Sequence, residues 1–249
     1  MHVVGLEGIP EIQPGDDLVS LTLGAIERAC LQVEHGDVFV YTQKIVSKVE
    51  NRVVRLDDVQ PSAIARQWAD TWKKDPRVIE LVLQEATRVV RMERGVVITE
   101  TQQGFICANS GVDASNVRPG AAARLPTDPD ASARRLCTEL RGALQQSIGV
   151  IISDTFGRPW REGQTNVAIG VAGVRAILDY RGTRDTHGQS LGSTMIAVAD
   201  ELAAAAEIVM GKTRGIPVAI VQGTGLGVAD VDASSGRDLL RRGEEDMFR

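Results

Sequence analysis

Four short apolar runs, each bounded by turn or cap residues, constrain the fold of this chain more than any other feature: Asp37 to Tyr41 (DVFVY), Gly95 to Thr99 (GVVIT), Gly149 to Ile152 (GVII) and Ile216 to Val221 (IPVAIV). Runs of this length, rich in β-branched and aromatic residues, read as buried strands. The chain between them reads largely as helix. Leu18, Leu21, Ile26, Cys30 and Val33 make an apolar stripe between a cap at Asp16 and Asp17 and a C′ glycine at Gly36. Asp75-Pro76 caps and opens a long helix with Val78, Ile79, Val82, Leu83, Ala86, Val89 and Val90 on its apolar face. Trp68 and Trp72, one turn apart on the helix before it, read as core or subunit contacts. Two more helices are expected over about 131–146 and 194–210, the second ended by Gly211. Strand and helix patterns that alternate without repeats give a mixed α/β (α+β) fold.

A chain of 249 residues with 43% hydrophobic content buries a substantial core, as one large domain or two modest ones. The net charge of −5 and the pI near 5.3 leave no global basic field for nucleic acid or an anionic membrane, so a polyanionic ligand has to be held locally. The N-terminal stretch MHVVGLEGIPEIQPGDDL lacks the basic-then-apolar pattern of a signal peptide, and no run approaches the ~20 apolar residues of a membrane span. A cytoplasmic protein is expected. Cys30, Cys107 and Cys137 form no C-x-x-C pair, which argues against a disulfide framework or structural zinc, and all three are expected to be small buried apolar residues. The last twenty or so residues, charged and Gly-rich, are expected to form a mobile tail or a late helix.

Two stretches imitate phosphate-binding loops. Gly211-Lys212-Thr213 has the end of a Walker A sequence, but Ala206 stands where its first glycine belongs and the preceding residues are helical, so a P-loop is rejected. Gly223-Thr224-Gly225-Leu226-Gly227 ends in Val228 and leaves too little chain for a βαβ unit, so a Rossmann site is rejected as well.

The chemistry concentrates in two segments where an apolar run gives way to a polar turn carrying an aspartate: Asp113 in SGVDASN and Asp154 in SDTFGR. Strand ends and the loops after them are where α/β proteins bind ligands. A hard divalent cation takes one or two carboxylates, hydroxyls and substrate phosphates, which suits Asp113, Asp154 and Thr155. Arg158 and Arg161 flank them with permanent positive charge suited to phosphate or carboxylate. An aspartate after a strand also caps a turn, so either segment alone admits a purely local role. His187, between Arg184-Asp185 and Gly188, reads as a surface hydrogen-bonder, not a general base.

In this order, GLEGIPEIQPGDDL, TQKIVSKVENR, ITETQQGFICANSGVDASNV, SDTFGRPWREGQTNVAIGVAG and MGKTRGIPVAIVQG resemble the coenzyme F420-0:L-glutamate ligase family over nearly the whole chain. The resemblance implies GTP-dependent γ-glutamyl ligation: L-glutamate joins coenzyme F420-0, and further glutamates extend the tail, through an acyl phosphate. It implies GTP binding by Ile9, Pro10, Glu11 and Ile12, by Thr42, Gln43 and Lys48, by Asn116, and by the turn that begins Met210-Gly211-Lys212. It implies divalent-metal ligation, Mg²⁺ or Mn²⁺ and two ions in all, by Asp113, Asp154 and Thr155, with K⁺ as a further ion. Asp113, Asp154, Arg158 and Arg161 are the residues expected to serve catalysis. Some relatives place Gln or Glu where this chain has Lys212, so a metal contact is not carried over to that position.

The resemblance further implies a two-lobed fold that is neither P-loop, Rossmann nor ATP-grasp, and an intertwined homodimer with the active site near the subunit boundary. Residues 1–80 with 190–249 are assigned to one lobe and 81–189 to the other, with no C-terminal nitroreductase-like domain. Two alternatives stay open on sequence: an amide-forming ligase acting on another carboxylate acceptor, and a non-catalytic protein that binds metal and nucleotide.

Overall fold

The structure is a computed structural model that describes residues 1–228, 230–241 and 243. In chain order its strands and helices are β1 (His2–Gly5), α1 (Leu18–Arg28), β2 (Val38–Thr42), α2 (Gln43–Val49), β3 (Val53–Arg55), α3 (Ala63–Trp72), α4 (Pro76–Glu85), β4 (Ala86–Glu93), β5 (Val96–Thr101), β6 (Ile106–Ala108), β7 (Ala121–Ala123), α5 (Pro129–Leu144), β8 (Gly149–Arg158), β9 (Arg161–Ala172), β10 (Leu178–Asp179), β11 (Met195–Ile196), α6 (Val198–Met210) and β12 (Val218–Gln222). The mixed α/β class expected from the alternating patterns is what forms.

The central sheet has the order β1-β12-β2-β8-β9; only β2 and β8 run parallel, and the other pairs are antiparallel. Period-two alternation sorts its residues between two cores. Phe39, Tyr41, Val150, Ile152 and Ile220 pack under α1 and α5, while Val38, Val40, Ile151, Ala219 and Val221 pack under α6. These strands read as unbroken apolar runs because helices cover both faces. Gly170 lets β9 lie against the start of α5, since a Cβ there would stand 2.3 Å from the Pro129 carbonyl oxygen. A third core, around Trp68, Leu81, Val82 and Val97, joins α3 and α4 to the small sheets β4-β5-β6 and β3-β7. Among the described residues no helix is long and apolar enough to cross a membrane.

Several local expectations give way to tertiary context. The helix read through Val90 stops at Glu85, and Ala86–Glu93 pairs with β5 instead. Thr87, Val89 and Val90 are β-branched, and a neighbouring strand decides the matter for such residues. Helix α1 ends at Arg28, Cys30 adopts a left-handed φ of 50° and is exposed, and only Cys107 and Cys137 are buried. Gly36 is therefore no helix cap; it sits just before β2, where its backbone meets Gly225 and Gly227 at 3.0–3.1 Å of an added Cβ. Two glycines of the false dinucleotide fingerprint, Gly225 and Gly227, serve this backbone packing. Trp68 is core, whereas Trp72 is partly exposed. Helix α6 starts at Val198, because Met195–Ile196 pairs with β10. Near the C-terminus, Gly236–Leu239 forms one 3-10 turn capped by Ser235 and Asp238; of the region expected as tail or late helix, residues 242 and 244–249 lie outside the described residues.

Candidate active site

Because β2 and β8 are parallel and in register, with Thr42 opposite Ser153, the C-terminal end of β2 lies beside the point where β8 runs on past its partner. A cavity of about 1360 Å³ begins there. That exceeds the ~300–1,000 Å³ of a typical small-molecule site, so more than one reactant fits. The loop after β1 contributes Ile9, Pro10, Glu11 and Ile12, and the β2–α2 junction contributes Thr42, Gln43, Lys44 and Lys48. From the chain after β6 come Asp113, Ser115 and Asn116; from β8, Asp154 and Thr155; from the end of α6 and the turn after it, Met210, Gly211 and Lys212. Segments far apart in sequence thus converge on one space.

Asp113 is presented by an unusual turn. Asn109 and Ser110 both occupy left-handed φ, at 55° and 51°, a conformation that costs non-glycine residues of order 1–3 kcal/mol each. The Ser110 hydroxyl holds the turn from inside the core, 2.8 Å from the Val82 carbonyl oxygen and 2.7 Å from Thr99 Oγ1. Asp113 then pairs backbone to backbone with Ala123, N–H to O at 3.0 and 2.8 Å. Its carboxylate accepts from Lys44 Nζ at 2.6 Å and from Ser115 N and Oγ at 2.7 Å each. Burial raises the pKa of this carboxyl, but the Lys44 and Ser115 hydrogen bonds outweigh burial and hold it below the ordinary range.

Asp154 is placed differently from expectation. Strand β8 does not end at Ser153; it continues to Arg158 and pairs with β9 as a long hairpin. The polar residues mark where the strand leaves the core. A register shift between Ile152 and Ser153 re-aims the side chains that follow, as β-bulges do beside functional sites. Burial, reinforced by the charge of Asp113, raises the Asp154 pKa to about 6, against smaller lowering effects from the Thr155 backbone, Lys212 and Lys44. Two carboxylates that repel each other inside a cavity fit a divalent cation. Among the described residues no three His, Cys, Asp or Glu side chains gather, so a cation on Asp113 and Asp154 would need further ligands from elsewhere, as Mg²⁺ takes from substrate phosphates and water.

Other expected residues fare unequally. Lys48 Nζ donates to Glu11 Oε1 at 2.5 Å, tying α2 to the Ile9–Ile12 loop. Gln43 is only 2% exposed, and its side-chain carbonyl accepts from Ser47 Oγ at 2.8 Å. Asn116 donates to the Lys212 carbonyl at 3.3 Å, and Lys212 Nζ donates to Thr155 Oγ1. Arg158 and Arg161 do not line the cavity; they pair at the exposed tip of the β8–β9 hairpin, beside Trp160 at φ 57° and 80% exposure. Their expected position next to Asp154 assumed a loop where the chain forms a strand. His187 is exposed in a separate loop.

Sequence reading missed Lys44, Ser115 and Asn166. Lys44 and Lys48 stand four residues apart on α2 and so share a helical face, a spacing that could have singled out Lys44. Asn166, 4% exposed, lies opposite Thr155 in the hairpin register, which local sequence does not show.

Residues 8–223 match the family model described as F420-0:Gamma-glutamyl ligase. The chain is 42% identical over 250 residues to a coenzyme F420:L-glutamate ligase of Methanothermobacter thermautotrophicus, covering 100% of this chain and 99% of that protein. Proteins of the same name from Methanopyrus kandleri and Methanocaldococcus jannaschii are 42% and 40% identical, over 98% and 100% of this chain and 97% of each relative.

Proposed function

Since the chain belongs to the F420-0:gamma-glutamyl ligase family, we propose that it joins L-glutamate to coenzyme F420-0, and further glutamates to the γ-linked tail, at the expense of GTP. The observation that carries this reading is the convergence, in one cavity, of two carboxylates with three lysines from α2 and the α6 turn. A free carboxylate is a poor acyl donor. Transfer of the γ-phosphoryl group of GTP to the acceptor carboxylate forms an acyl phosphate and GDP; the glutamate amine then attacks the acyl carbon, a C–N bond forms, and phosphate leaves with the C–O bond broken. Such transfers are accelerated mainly by positioning and charge neutralisation. Asp113 and Asp154 would hold a divalent cation, Mg²⁺ or Mn²⁺, which supplies Lewis-acid neutralisation of phosphate oxygens. Lys44 and Lys48 bring positive charge to the same space from α2, and Lys212 brings it from the turn after α6.

Incubation with GTP, Mn²⁺, L-glutamate and coenzyme F420-0 is expected to give GDP and an acceptor heavier by one or more glutamyl residues. An unchanged acceptor mass with the nucleotide bound would support the non-catalytic alternative, and modification of only a different carboxylate would change the substrate. Within this reading Lys48→Ala is expected to raise the KM for GTP about 10- to 100-fold, the loss of one charge-assisted hydrogen bond, and to leave the KM for glutamate nearly unchanged. Equal increases in both would make Lys48 a structural residue.

We extend the reading to assembly as a homodimer, supported by the length of the β8–β9 hairpin and the exposure of Trp160 at its tip. Light scattering at low micromolar concentration is expected to report about twice the 26.8 kDa chain mass. A stable, active monomer would overturn this part.

A further inference from the structure

The hydrogen bonds around Thr155 determine which way its hydroxyl faces. Asn166 is buried on β9 directly across from Thr155, and its Nδ2 donates to Ser153 Oγ at 3.4 Å, which turns Oδ1 toward Thr155 at 2.6 Å. An amide oxygen only accepts, so the Thr155 hydroxyl hydrogen is committed to Asn166. Toward the cavity Thr155 therefore presents lone pairs alone, the arrangement a cation requires. The cation that meets them is the Lys212 ammonium, which donates to Thr155 Oγ1. Its backbone is held in place by the Asn116 amide on the Lys212 carbonyl.

An ammonium has three donors and no lone pair, so it cannot ligate a metal. A divalent ion on Thr155 would need an approach of about 2.0–2.1 Å for Mg²⁺, over the same lone pairs. We infer that Lys212 replaces a second divalent ion: with nucleotide bound, each chain takes one divalent cation, at Asp113 and Asp154, and the Lys212 ammonium is the second positive charge against the phosphates. Charge supports the substitution. Lys44 sits on Asp113, and Lys212 stands beside Asp154 and Thr155, so the two carboxylates are already offset by two lysines before any metal enters. Asn166 is then a positioning residue, acting through the Thr155 hydroxyl.

The inference rests on the proposed metal- and GTP-dependent function, and the test separates the two. Equilibrium dialysis with Mn²⁺ and a non-hydrolysable GTP analogue, with Mn²⁺ counted by electron paramagnetic resonance, is expected to give one bound ion per wild-type chain. Lys212→Gln, which places a side-chain carbonyl oxygen beside Thr155, is expected to bind two, with dipolar broadening between them; Lys212→Arg, which keeps the charge, is expected to bind one. Lys212 is exposed, so these variants should fold, and circular dichroism checks that they do. Two ions in the wild type, or a single ion in Lys212→Gln, would overturn the inference while leaving the metal-dependent function standing. No bound Mn²⁺ in the wild type would overturn the proposed function, and this inference with it.

Discussion

Asp154→Asn is expected to lower turnover at least about a thousandfold, equivalent to about 4 kcal/mol of transition-state stabilisation, at saturating Mg²⁺ or Mn²⁺. The amide is nearly the size of the carboxylate but carries no charge, so the cation loses one of the two carboxylates, Asp113 and Asp154, argued to hold it. The fold should not suffer. In the metal-free protein Asp154 is a liability: burial, with Asp113 nearby, raises its pKa to about 6 from the ordinary 3.8, a difference of roughly 3 kcal/mol at most. The sign follows from proton counting. Between pH 3.8 and about 6 the folded chain still holds the Asp154 proton that the unfolded chain has released, so stability falls as pH rises through this window and stays lower above it. Asparagine has no such proton. The metal-free variant should therefore match wild type near pH 4 and exceed it at pH 7, and adding Mn²⁺ to the nucleotide-bound protein should stabilise wild type far more than the variant. Denaturant midpoints across this pH range decide the matter; a variant as active as wild type, or one with a pH-independent stability deficit, would sink the metal-ligand assignment.

How much of this was legible in the sequence depends on the range of the forces involved. The runs around Val38, Val97, Val150 and Val218 announce strands because their burial is written in composition, and Asp17, Asp75 and Gly211 mark helix ends because capping is a local hydrogen-bond problem. The end of α4 was not legible. Val82, Leu83, Ala86, Val89 and Val90 satisfy a helical period, and only pairing with β5 turns the last three into strand. The site shows the same division. Asp113, Asp154 and Thr155 stand out by residue type and by resemblance, whereas Asn166 is defined by the register of β8 on β9, shifted at Ile152 by a bulge that no residue pattern announces. The same unseen hairpin carries Arg158 and Arg161 away from the carboxylates they seemed to flank. Lys44 needed recognition that α2 begins at Gln43, after which the lysine pair four residues apart follows from helix geometry.

Glu85→Ala is expected to cost about 3–5 kcal/mol of stability, the range for removing one partner of a buried ion pair, and to weaken the active site as it does so. Glu85 is the last residue of α4 and is buried; its carboxylate takes Arg52 Nη2 at 2.7 Å and Arg124 Nη1 at 3.0 Å. The two arginines are themselves mostly buried, and Arg52 Nε also donates to the Leu125 carbonyl at 2.8 Å. Truncation leaves two guanidinium groups facing each other with no anion between them, so repulsion adds to the lost pairing. Glu85→Gln keeps the volume and an acceptor oxygen while removing the charge, and should fall between wild type and Glu85→Ala. The damage should reach the site along a short path. Arg124 N donates to the Arg52 carbonyl at 3.0 Å, closing the β3–β7 ladder, and Ala123, the next residue, carries the backbone pair that fixes Asp113. A looser Ala123 gives Asp113 more freedom to leave its position, so Glu85→Ala should lower Mn²⁺ affinity in the presence of nucleotide even where the protein remains folded. Urea denaturation at fixed protein concentration, with Mn²⁺ titration below the transition, measures both. A loss under about 1 kcal/mol would show that the arginines relax into solvent, and a full loss of stability with unchanged Mn²⁺ affinity would uncouple this core from the carboxylates it is argued to hold.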